Sequence, residues 1–559
     1  MNKLRITVFL VNLLVFGFLK AQTTGDYRTA AASVTWSNAG DWQTWDGSQW
    51  VTASTAPGAS NNVFIQAGHT ATLAGNQSCN DLYISTGTSN SSTGGDGQLA
   101  LQSNTHSVNG KLSCYIGVVD VTVSSSNPLS LTADATTPAL PISKTSGGLL
   151  KFVGNTRNIT VTGEWSGNAS GSTSLFDIEI ALSAGQIGTL NTVVKAAKWL
   201  ISSGTLQTSL RISADNNTTG QGNFTINTGA IFSSSESGGG TTPVISRTTT
   251  AICGTVTING ILRLSGASPH IQCAAYSLGS NGTVEYSRSN STGNQTFLNH
   301  SFTNADSLVV YNHIILSGIG TKTTLASSHT TISANGSLTM NGGALGVGSG
   351  GSFSVNSTGT TLIYSGTSSQ TASTTEWYTN FQNLTINNSS GLSLGFARTI
   401  NGKLTLTSGT FTNGANLTMG NGATIIRTGG SLNSAPTFGS TVNVIYNENA
   451  SNITTGNELP SSTSVLNNLT INSSNGVTLN SAKTINGLLT FTSGLLTTTA
   501  SNLLTIETSG SVSGATSSKF INGPVAKNTN STSKFTFPTG KGSILRTIAV
   551  TPSNTNATI

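Results

Sequence analysis

Apolar residues alternate with threonine, serine and asparagine along most of the chain. In residues 384–386 (Leu-Thr-Ile) and 404–406 (Leu-Thr-Leu), leucine and isoleucine fall on one face and threonine on the other. This two-residue period is typical of a half-buried strand. Thr and Ile also suit a pleated strand better than a helix, because their branched side chains pack well on a pleated surface. The pattern therefore predicts an all-β fold of short strands.

One stretch of this pattern occurs twice. Residues 383–409 recur as residues 468–494 without insertion or deletion, and 18 of the 27 aligned positions are identical. A finer period of 20 residues links four apolar positions, each within an alternating segment: Ile386, Leu406, Ile426 and Tyr446. Repetition at fixed offsets indicates an array whose units bury their apolar faces against one another.

Asn-Gly pairs flank several of these segments, at residues 109–110, 259–260, 401–402 and 486–487. Asn and Gly tolerate positive φ and so make tight bends at little steric cost. As hairpin turns they would give tandem antiparallel β-sandwich repeats. As corners they would give a parallel β-helix, or β-solenoid, with coils stacked about 4.8 Å apart. The step of 20 favours the solenoid, with on the order of 20 coils at this spacing, and the sandwich array is the alternative.

Four regions follow from these patterns. Residues 1–21 have a basic start, an apolar run and a cleavage site after Ala21, which together predict a secretory signal peptide. Residues 22–100 are rich in tryptophan and predict an amino-terminal β cap. Residues 101–515 predict the solenoid repeats. Residues 516–559 break the rhythm and predict the start of an incomplete carboxyl-terminal β module, so we expect either that the chain is an amino-terminal fragment or that its stop is premature.

The charge of the chain argues against nucleic acid as a partner. There are 24 basic and 18 acidic residues, and three of the basic ones lie in the leader, which leaves a net charge near +3. No basic cluster is visible, and charged residues make up only 8% of the chain. We expect no nucleic-acid binding, and no integral membrane segment once the leader is removed, because no later apolar run has the necessary length.

Tryptophans between residues 36 and 50 are the candidate ligand-binding residues. Trp42, Trp45 and Trp50 lie among Asp and Asn residues, and exposed rings beside polar groups are suited to stacking on sugars. The alternative is that these rings and Trp36 fill the core of the cap. A solvent-quenching measurement would separate the two.

Four cysteines have two local pairings, Cys79–Cys114 and Cys253–Cys273, which suit an oxidising compartment. The alternative is four buried thiols that pack as small apolar groups. None of the cysteines or histidines has the spacing of a metal site, and we expect no metal and no cofactor.

Catalytic residues are not evident. Glycosidases need two carboxylates at a defined separation, and residues 307–559 contain only four acids: Glu376, Glu448, Glu458 and Glu507. Asp177 and Glu179 would share one face of a strand, where a solvated surface is the simpler interpretation. We therefore predict no catalytic residues.

Short phrases in the chain resemble a group of bacterial surface proteins. They are residues 24–28 (Thr-Gly-Asp-Tyr-Arg), the tryptophan region, residues 68–70 (Gly-His-Thr), the Asn-Leu-Thr-Ile and Ile-Asn-Gly-Lys-Leu repeats, and residues 520–525 and 535–542. Together they resemble the large proteins exported by type IX secretion in gliding and related Gram-negative bacteria. The resemblance implies a parallel β-helix at the cell surface, commonly one used in adhesion. Those proteins usually end in a sorting domain, which we do not find in this sequence.

The function predicted from these observations is that of a secreted or cell-surface structural, adhesin-like protein that contacts glycans or extracellular surfaces. The alternative is a β-helix polysaccharide lyase or hydrolase, or the non-catalytic stalk of one.

Overall fold

The structure is a computed structural model, and it describes most of the chain from residue 22 to residue 559. The predicted signal peptide, residues 1–21, and the Asn-Gly pair at 109–110 lie outside the described residues. Further exceptions are residues 67, 76, 85–97, 103–105, 117–131, 134–141, 144–148, 155, 160–176, 192, 217–219, 238–241, 302–307, 378–380 and 449–450.

In the parts of the chain that the structure describes, the fold is all-β, with 50% of residues in strands and 1% in helix, and it contains a parallel β-solenoid of about 16 turns. This confirms the predicted fold class, while the tandem antiparallel sandwich is wrong. Many turns are longer than the 20-residue step that the sequence predicts. Leu362 pairs with Leu338, 24 positions earlier, and Leu469 with Val444, 25 positions earlier.

The chain divides into two units. The first consists of residues 22–234, 243–257 and 272–277, in the parts that the structure describes. Its longest ladder contains parallel strands in this order: Tyr27–Thr29, Val63–Ile65, Leu82–Ile84, Lys111–Ile116, Leu149–Gly154, Asp177–Leu182, Lys198–Ser203 and Asn223–Ile226. The strands Cys253–Ile258 and His270–Leu278 follow in the same sheet.

Shorter parallel ladders complete the turns of the first unit. One contains Ser33–Thr35, Thr70–Thr72, Gln98–Gln102 and Thr132–Ala133. Others are Gln77–Cys79, His106–Val108 and Ile142–Ser143, and Arg157–Ile159, Ile187–Leu190, Thr205–Thr208 and Ile231–Ser234. The last contains Lys195–Ala196, Ile212–Ala214 and Ile245–Ser246.

A distinct amino-terminal cap over residues 22–100 is not confirmed. Its strand Tyr27–Thr29 already pairs in parallel with Val63–Ile65, as later turns do. What differs is the other side of Tyr27–Thr29, where Trp42–Trp45 and Trp50–Thr52 add two antiparallel strands. They follow a 3₁₀ turn at Ala39–Asp41, which Asn38 caps. These strands place the tryptophans at the edge of the sheet.

The second unit consists of residues 235–242, 258–271 and 278–559. Its long ladder contains Ile261–Leu264, Thr283–Tyr286, Leu308–Ser317, His329–Asn341, Ser352–Val355, Thr361–Tyr364, Asn383–Asn387, Lys403–Ser408, Ala423–Arg427, Val442–Tyr446, Leu466–Asn472, Leu488–Ser493 and Ser511–Ser513. A short strand outside this ladder covers Asn299–Ser301.

Short strands form the other sides of the turns in this unit. Three of these ladders are Gln295–Thr296, Thr321–Thr323 and Ala344–Gly346; Gln370–Thr371, Leu392–Ser393, Thr410–Thr412 and Ser431–Leu432; and Ile453–Thr454, Val477–Thr478, Leu496–Thr497, Ile521–Asn522 and Thr539–Lys541. Two more are Arg398–Ile400, Leu417–Met419 and Thr437–Phe438, and Lys483–Ile485, Leu504–Ile506 and Val525–Thr529.

The two copies of the 27-residue repeat adopt the same structure. Leu384 pairs with Leu404 in the first copy, and Leu469 pairs with Leu489 in the second. All four leucines are fully buried. Both copies also shift register by one residue after their central isoleucine. The predicted stacking of repeats is therefore confirmed at the level of individual pairs.

The 20-residue step fails at one position. Leu406 stacks on Ile386, as predicted, but the next strand places Arg427 rather than Ile426 beside Leu406. That turn is 21 residues long, and one extra residue exchanges the two faces of a strand. Ile426 consequently faces outward, and Arg427 begins inside the stack.

Residues 516–559 continue the parallel stack before antiparallel pairs appear. Thr539–Lys541 pairs with Ile544–Leu545, and Val525–Thr529 with Ala557–Thr558. A third antiparallel pair joins Phe535–Phe537 to Ile548–Val550. Strand direction therefore changes within this region, and the incomplete carboxyl-terminal module stays a prediction.

Candidate glycan-binding surface

Trp36 and Trp42 belong to the core of the first unit. Both rings are fully buried, with centroids 5.1 Å apart in an edge-to-face arrangement. The indole N–H of Trp42 donates to the carbonyl of Trp36 at 3.0 Å, and that of Trp36 to the carbonyl of Pro57 at 3.1 Å. Trp42 therefore cannot stack on a sugar in this structure, and its inclusion among the candidate ligand-binding residues is corrected.

Trp45 and Trp50 lie on the antiparallel strands Trp42–Trp45 and Trp50–Thr52, on the face opposite the buried Trp42. Trp45 is three positions after Trp42, so the two-residue period places it on the outward face. Trp45 pairs directly with Trp50 across the antiparallel strands. Both side chains are half-buried, and their rings make an edge-to-face contact with centroids 5.4 Å apart.

Two more rings extend this pair along the ladder, and we call the set of Trp45, Trp50, Phe64 and Tyr83 the aromatic row. Phe64 lies 6.4 Å from Trp50, centroid to centroid. Tyr83 stacks on Phe64 at 4.5 Å with an interplanar angle of 8°, because the two residues are register partners in parallel strands. Apart from Tyr83, which is 6% exposed, the rings are half-buried.

Polar groups border the aromatic row. The guanidinium of Arg28 lies 4.6 Å from the centre of the Trp50 ring, and its Nε donates to Gln43 Oε1 at 2.7 Å. Burial lowers the pKa of Arg28, and an arginine side chain keeps its positive charge in proteins. Asp46 is exposed in the turn between the two strands, and hydrogen bonds from the backbone of Gln49 and Ser48 lower its pKa. The surface thus combines aromatic faces with fixed charges and an amide.

The cysteines lie elsewhere in the first unit. Cys253 and Cys273 are buried free thiols, so the pairing between them is not formed in this structure. Burial raises the pKa of each to about 12. Cys79 is also buried, and the side chain of Cys114 lies outside the described residues. The thiol alternative therefore describes Cys253 and Cys273.

Asp177 and Glu179 share the outward face of their strand, as predicted. Asp177 lies 3.9 Å from the ammonium of Lys198, and Glu179 accepts a hydrogen bond of 2.7 Å from Ser202. Asp177 and Lys198 also line a surface hollow of about 250 Å³ with Ala197, Asn216, Gln221, Gly222 and Asn223. The hollow is polar, and its charged groups are already paired.

Glu376 and Glu458 are internal. Each is buried and accepts a hydrogen bond from a buried tyrosine twelve positions earlier, Tyr364 at 2.9 Å and Tyr446 at 2.7 Å. The 82-residue spacing between Glu376 and Glu458 indicates in the sequence that the pairing is repeated. It does not indicate that both glutamates lie inside the stack. Among the described residues, no group of three His, Cys, Asp or Glu side chains is arranged to hold a metal ion.

Comparison with known proteins gives no match: no family model, no curated protein and no solved structure is significantly similar to this chain. In the part of the chain that the structure describes, no helix is long and apolar enough to cross a bilayer.

Proposed function

We propose that this protein is an exported, surface-associated structural β-solenoid that contacts glycans through the aromatic row. The observation that carries the proposal is the half-buried Trp45–Trp50 pair, with Arg28 stacked against Trp50. Sugar rings present apolar C–H faces edged by hydroxyls, and a flat aromatic surface beside charged and amide groups meets both requirements.

The antiparallel strands give this surface a fixed geometry. Trp45 and Trp50 are held by direct strand pairing, and Arg28 is oriented by its hydrogen bond to Gln43. Rings that are already ordered lose little conformational entropy on binding. The solenoid would then serve as the scaffold that presents the row, consistent with an adhesin-like role at the cell surface.

Binding of neutral oligosaccharides tests the proposal. Cello-, chito- and xylo-oligosaccharides would be titrated against the full chain, with tryptophan fluorescence and calorimetry as readouts. We expect the W45A/W50A double variant to lose about tenfold or more in affinity, since stacking contacts of this kind contribute about 1.4 kcal/mol or more. Equal affinity of the wild type and the double variant would exclude the row as the binding surface.

Phe396 supplies a matched control. Its half-buried ring also carries a stacked arginine, with the Arg398 guanidinium 4.7 Å from the ring centre, but it belongs to the second unit. F396A should leave oligosaccharide binding unchanged.

Surface proteolysis of the native bacterial cells, followed by detection of the intact chain, would test the proposed location.

The polar hollow favours one alternative, a polysaccharide lyase or hydrolase. Asp177 and Lys198 lie at its edge, and proton transfer in such reactions requires acidic and basic groups near the substrate. Release of reducing ends from polysaccharides, abolished by D177N, would support the enzyme. Binding without turnover would support the structural role.

A further inference from the structure

The outward face of the long ladder in the second unit carries a column of β-branched residues. Nine strands place a threonine or an isoleucine there, and each residue is the register partner of the next. All nine side chains are partly exposed. This Thr/Ile column consists of Ile315, Thr339, Ile363, Thr385, Thr405, Ile426, Ile445, Thr470 and Thr490. It is an ordered and partly apolar strip of surface.

The positions that flank the Thr/Ile column carry little charge. Two positions before each column residue, the ionisable side chains are those of His313 and Lys403. Two positions after each column residue, the side chains are serine, threonine and asparagine: Ser317, Asn341, Ser365, Asn387, Thr407, Thr428, Asn447, Asn472 and Thr492. Charged residues are depleted in the core of protein interfaces, and this strip shows the same depletion.

The Thr/Ile column is long enough to support a protein interface. Nine strands about 4.8 Å apart extend over roughly 40 Å, and the column with its two flanks is roughly 15–20 Å wide. Such a strip would bury roughly 600–800 Å² on each of two copies, or roughly 1,200–1,600 Å² in total, which lies within the range of specific interfaces. Its β-branched side chains also have few rotamers to lose when they are covered.

The regular spacing of the column indicates what could cover it. A partner that contacts every strand must present groups about 4.8 Å apart, and a second stack of strands does so. The facing side chains of packed sheets interdigitate. We infer that the Thr/Ile column is a self-association surface that binds the Thr/Ile column of a second copy of this chain. The column belongs to the second unit and the aromatic row to the first, so the inference does not rest on glycan binding.

A two-fold axis parallel to the stacking direction suits both the shape and the charge of this surface. Such an axis makes the facing strands antiparallel and brings the two columns together strand by strand. Thr405, the fifth of the nine residues, then faces its own counterpart at the centre. Lys403 and His313 lie on one flank and face the uncharged flank of the other copy, so no like charges meet.

Sedimentation velocity of the full chain between about 1 and 100 μM tests the inference. We expect the wild type to form a reversible dimer. T405K and T405E should each weaken dimerisation by about tenfold or more, because two like charges then meet at the centre of the interface. An equimolar mixture of T405K and T405E should dimerise again, because the facing charges are then opposite. Misfolding of either variant could not produce this recovery.

Thr418 supplies the matched control. It is a partly exposed threonine of the second unit, but it lies in the ladder that joins Arg398–Ile400 to Leu417–Met419. T418K should dimerise as the wild type does. The W45A/W50A variant should also dimerise normally, so failure of the glycan surface and failure of the Thr/Ile column give different results.

Three results would overturn the inference. The first is a wild type that stays monomeric up to about 100 μM. The second is dimerisation of T405K and T405E with the affinity of the wild type, which would place the contact elsewhere. The third is a mixture of the two variants that stays monomeric. A monomeric wild type whose oligosaccharide binding is lost in T405K would assign the column to a glycan instead.

Discussion

The hydroxyl of Tyr446 donates a hydrogen bond of 2.7 Å to a carboxylate oxygen of Glu458, and both side chains are fully buried. The same oxygen accepts from Arg427 Nη1 at 2.8 Å and from the backbone N–H of Gly456 at 2.7 Å. Burial, together with the nearby negative charge of Glu458, raises the pKa of Tyr446 well above its usual value. A charged group is thus accommodated inside the stack because three donors converge on it.

Removing Arg427 should expose how strongly the stack depends on this arrangement. R427M leaves the Glu458 charge buried without its cation, and we expect a loss of about 3–5 kcal/mol in the free energy of unfolding. Urea denaturation followed by circular dichroism would measure it. K403M, which removes an exposed cation from the neighbouring strand, should change stability by less than about 0.5 kcal/mol.

The double variant R427M/E458Q provides the complementary test. Neutralising Glu458 removes the uncompensated charge while an amide oxygen can still accept from Tyr446, so we expect it to recover part of the stability that R427M loses. A double variant no more stable than R427M would show that the Arg427 loss comes from packing rather than from charge.

Arg427 also shows how far the sequence predicts this fold. The alternation of leucine and threonine was enough to predict strands, and the 27-residue repeat was enough to predict parallel stacking. Neither predicted which turn contains an extra residue, because a loop can absorb one residue without any change in strand pattern. The exchange of Ile426 for Arg427 in the interior, and the pairing with Glu458, depend on that single residue.

The candidate sites were less predictable than the fold. A tryptophan cluster indicated a site or a core, and the structure divides it, with Trp42 inside and Trp45 outside. Because Trp42 and Trp45 are an odd number of positions apart, the two-residue period places them on opposite faces once the strand is known. The Thr/Ile column joins Thr405 to Ile426 and Ile426 to Ile445, at steps of 21 and 19 positions. No single period in the sequence identifies the column, because only the stacking of turns sets its register.

Two equivalent glycines of the repeat should both resist substitution. Gly409 and Gly494 have φ of 72° and 75°, and an added Cβ would lie 1.9 Å from the carbonyl oxygen of Asn388 or 1.7 Å from that of Ser473. We expect G409A and G494A each to destabilise the protein by more than about 1 kcal/mol, measured by thermal unfolding. G395A is the control, since its Cβ would meet nothing within 4 Å and its φ lies outside the left-handed region.

Similar losses in the two glycine variants would mean that an added Cβ is equally unfavourable in both copies of the repeat. If G409A and G494A unfolded at the temperature of G395A, the close approach of the turns at these positions would be wrong.

Lys322 should give the second unit a pH-dependent stability. Its ammonium donates to the carbonyl oxygens of Arg288, Gly293 and Ile319 at 2.7–2.9 Å, and the side chain is fully buried. Burial, with a smaller effect from the charge of Arg288, lowers its pKa from 10.5 to about 8. The unfolded chain then binds more protons than the folded chain between these pH values, so this residue makes stability rise with pH across that window.

Chemical denaturation of the wild type and K322M at intervals from pH 7.5 to pH 10 measures this effect. We expect the unfolding free energy of the wild type, minus that of K322M, to increase with pH. The reason is that K322M lacks the titrating group, while the other residues titrate equally in both proteins. A pH-independent difference would mean that the pKa of Lys322 is the same in the folded and unfolded states. K541M, which removes an exposed lysine, serves as the control and should follow the wild type.

Trp42 and Trp45, three positions apart on one strand, should lose very different amounts of stability when truncated. W42A removes a fully buried ring and the hydrogen bond to Trp36, and should cost about 3–5 kcal/mol. W45A removes a half-buried ring whose edge contact with Trp50 is worth about 1 kcal/mol. Denaturant unfolding would give both values, and acrylamide quenching of each variant would show which ring solvent reaches. An equal loss of stability in W42A and W45A would make Trp45 a core residue and remove it from the aromatic row.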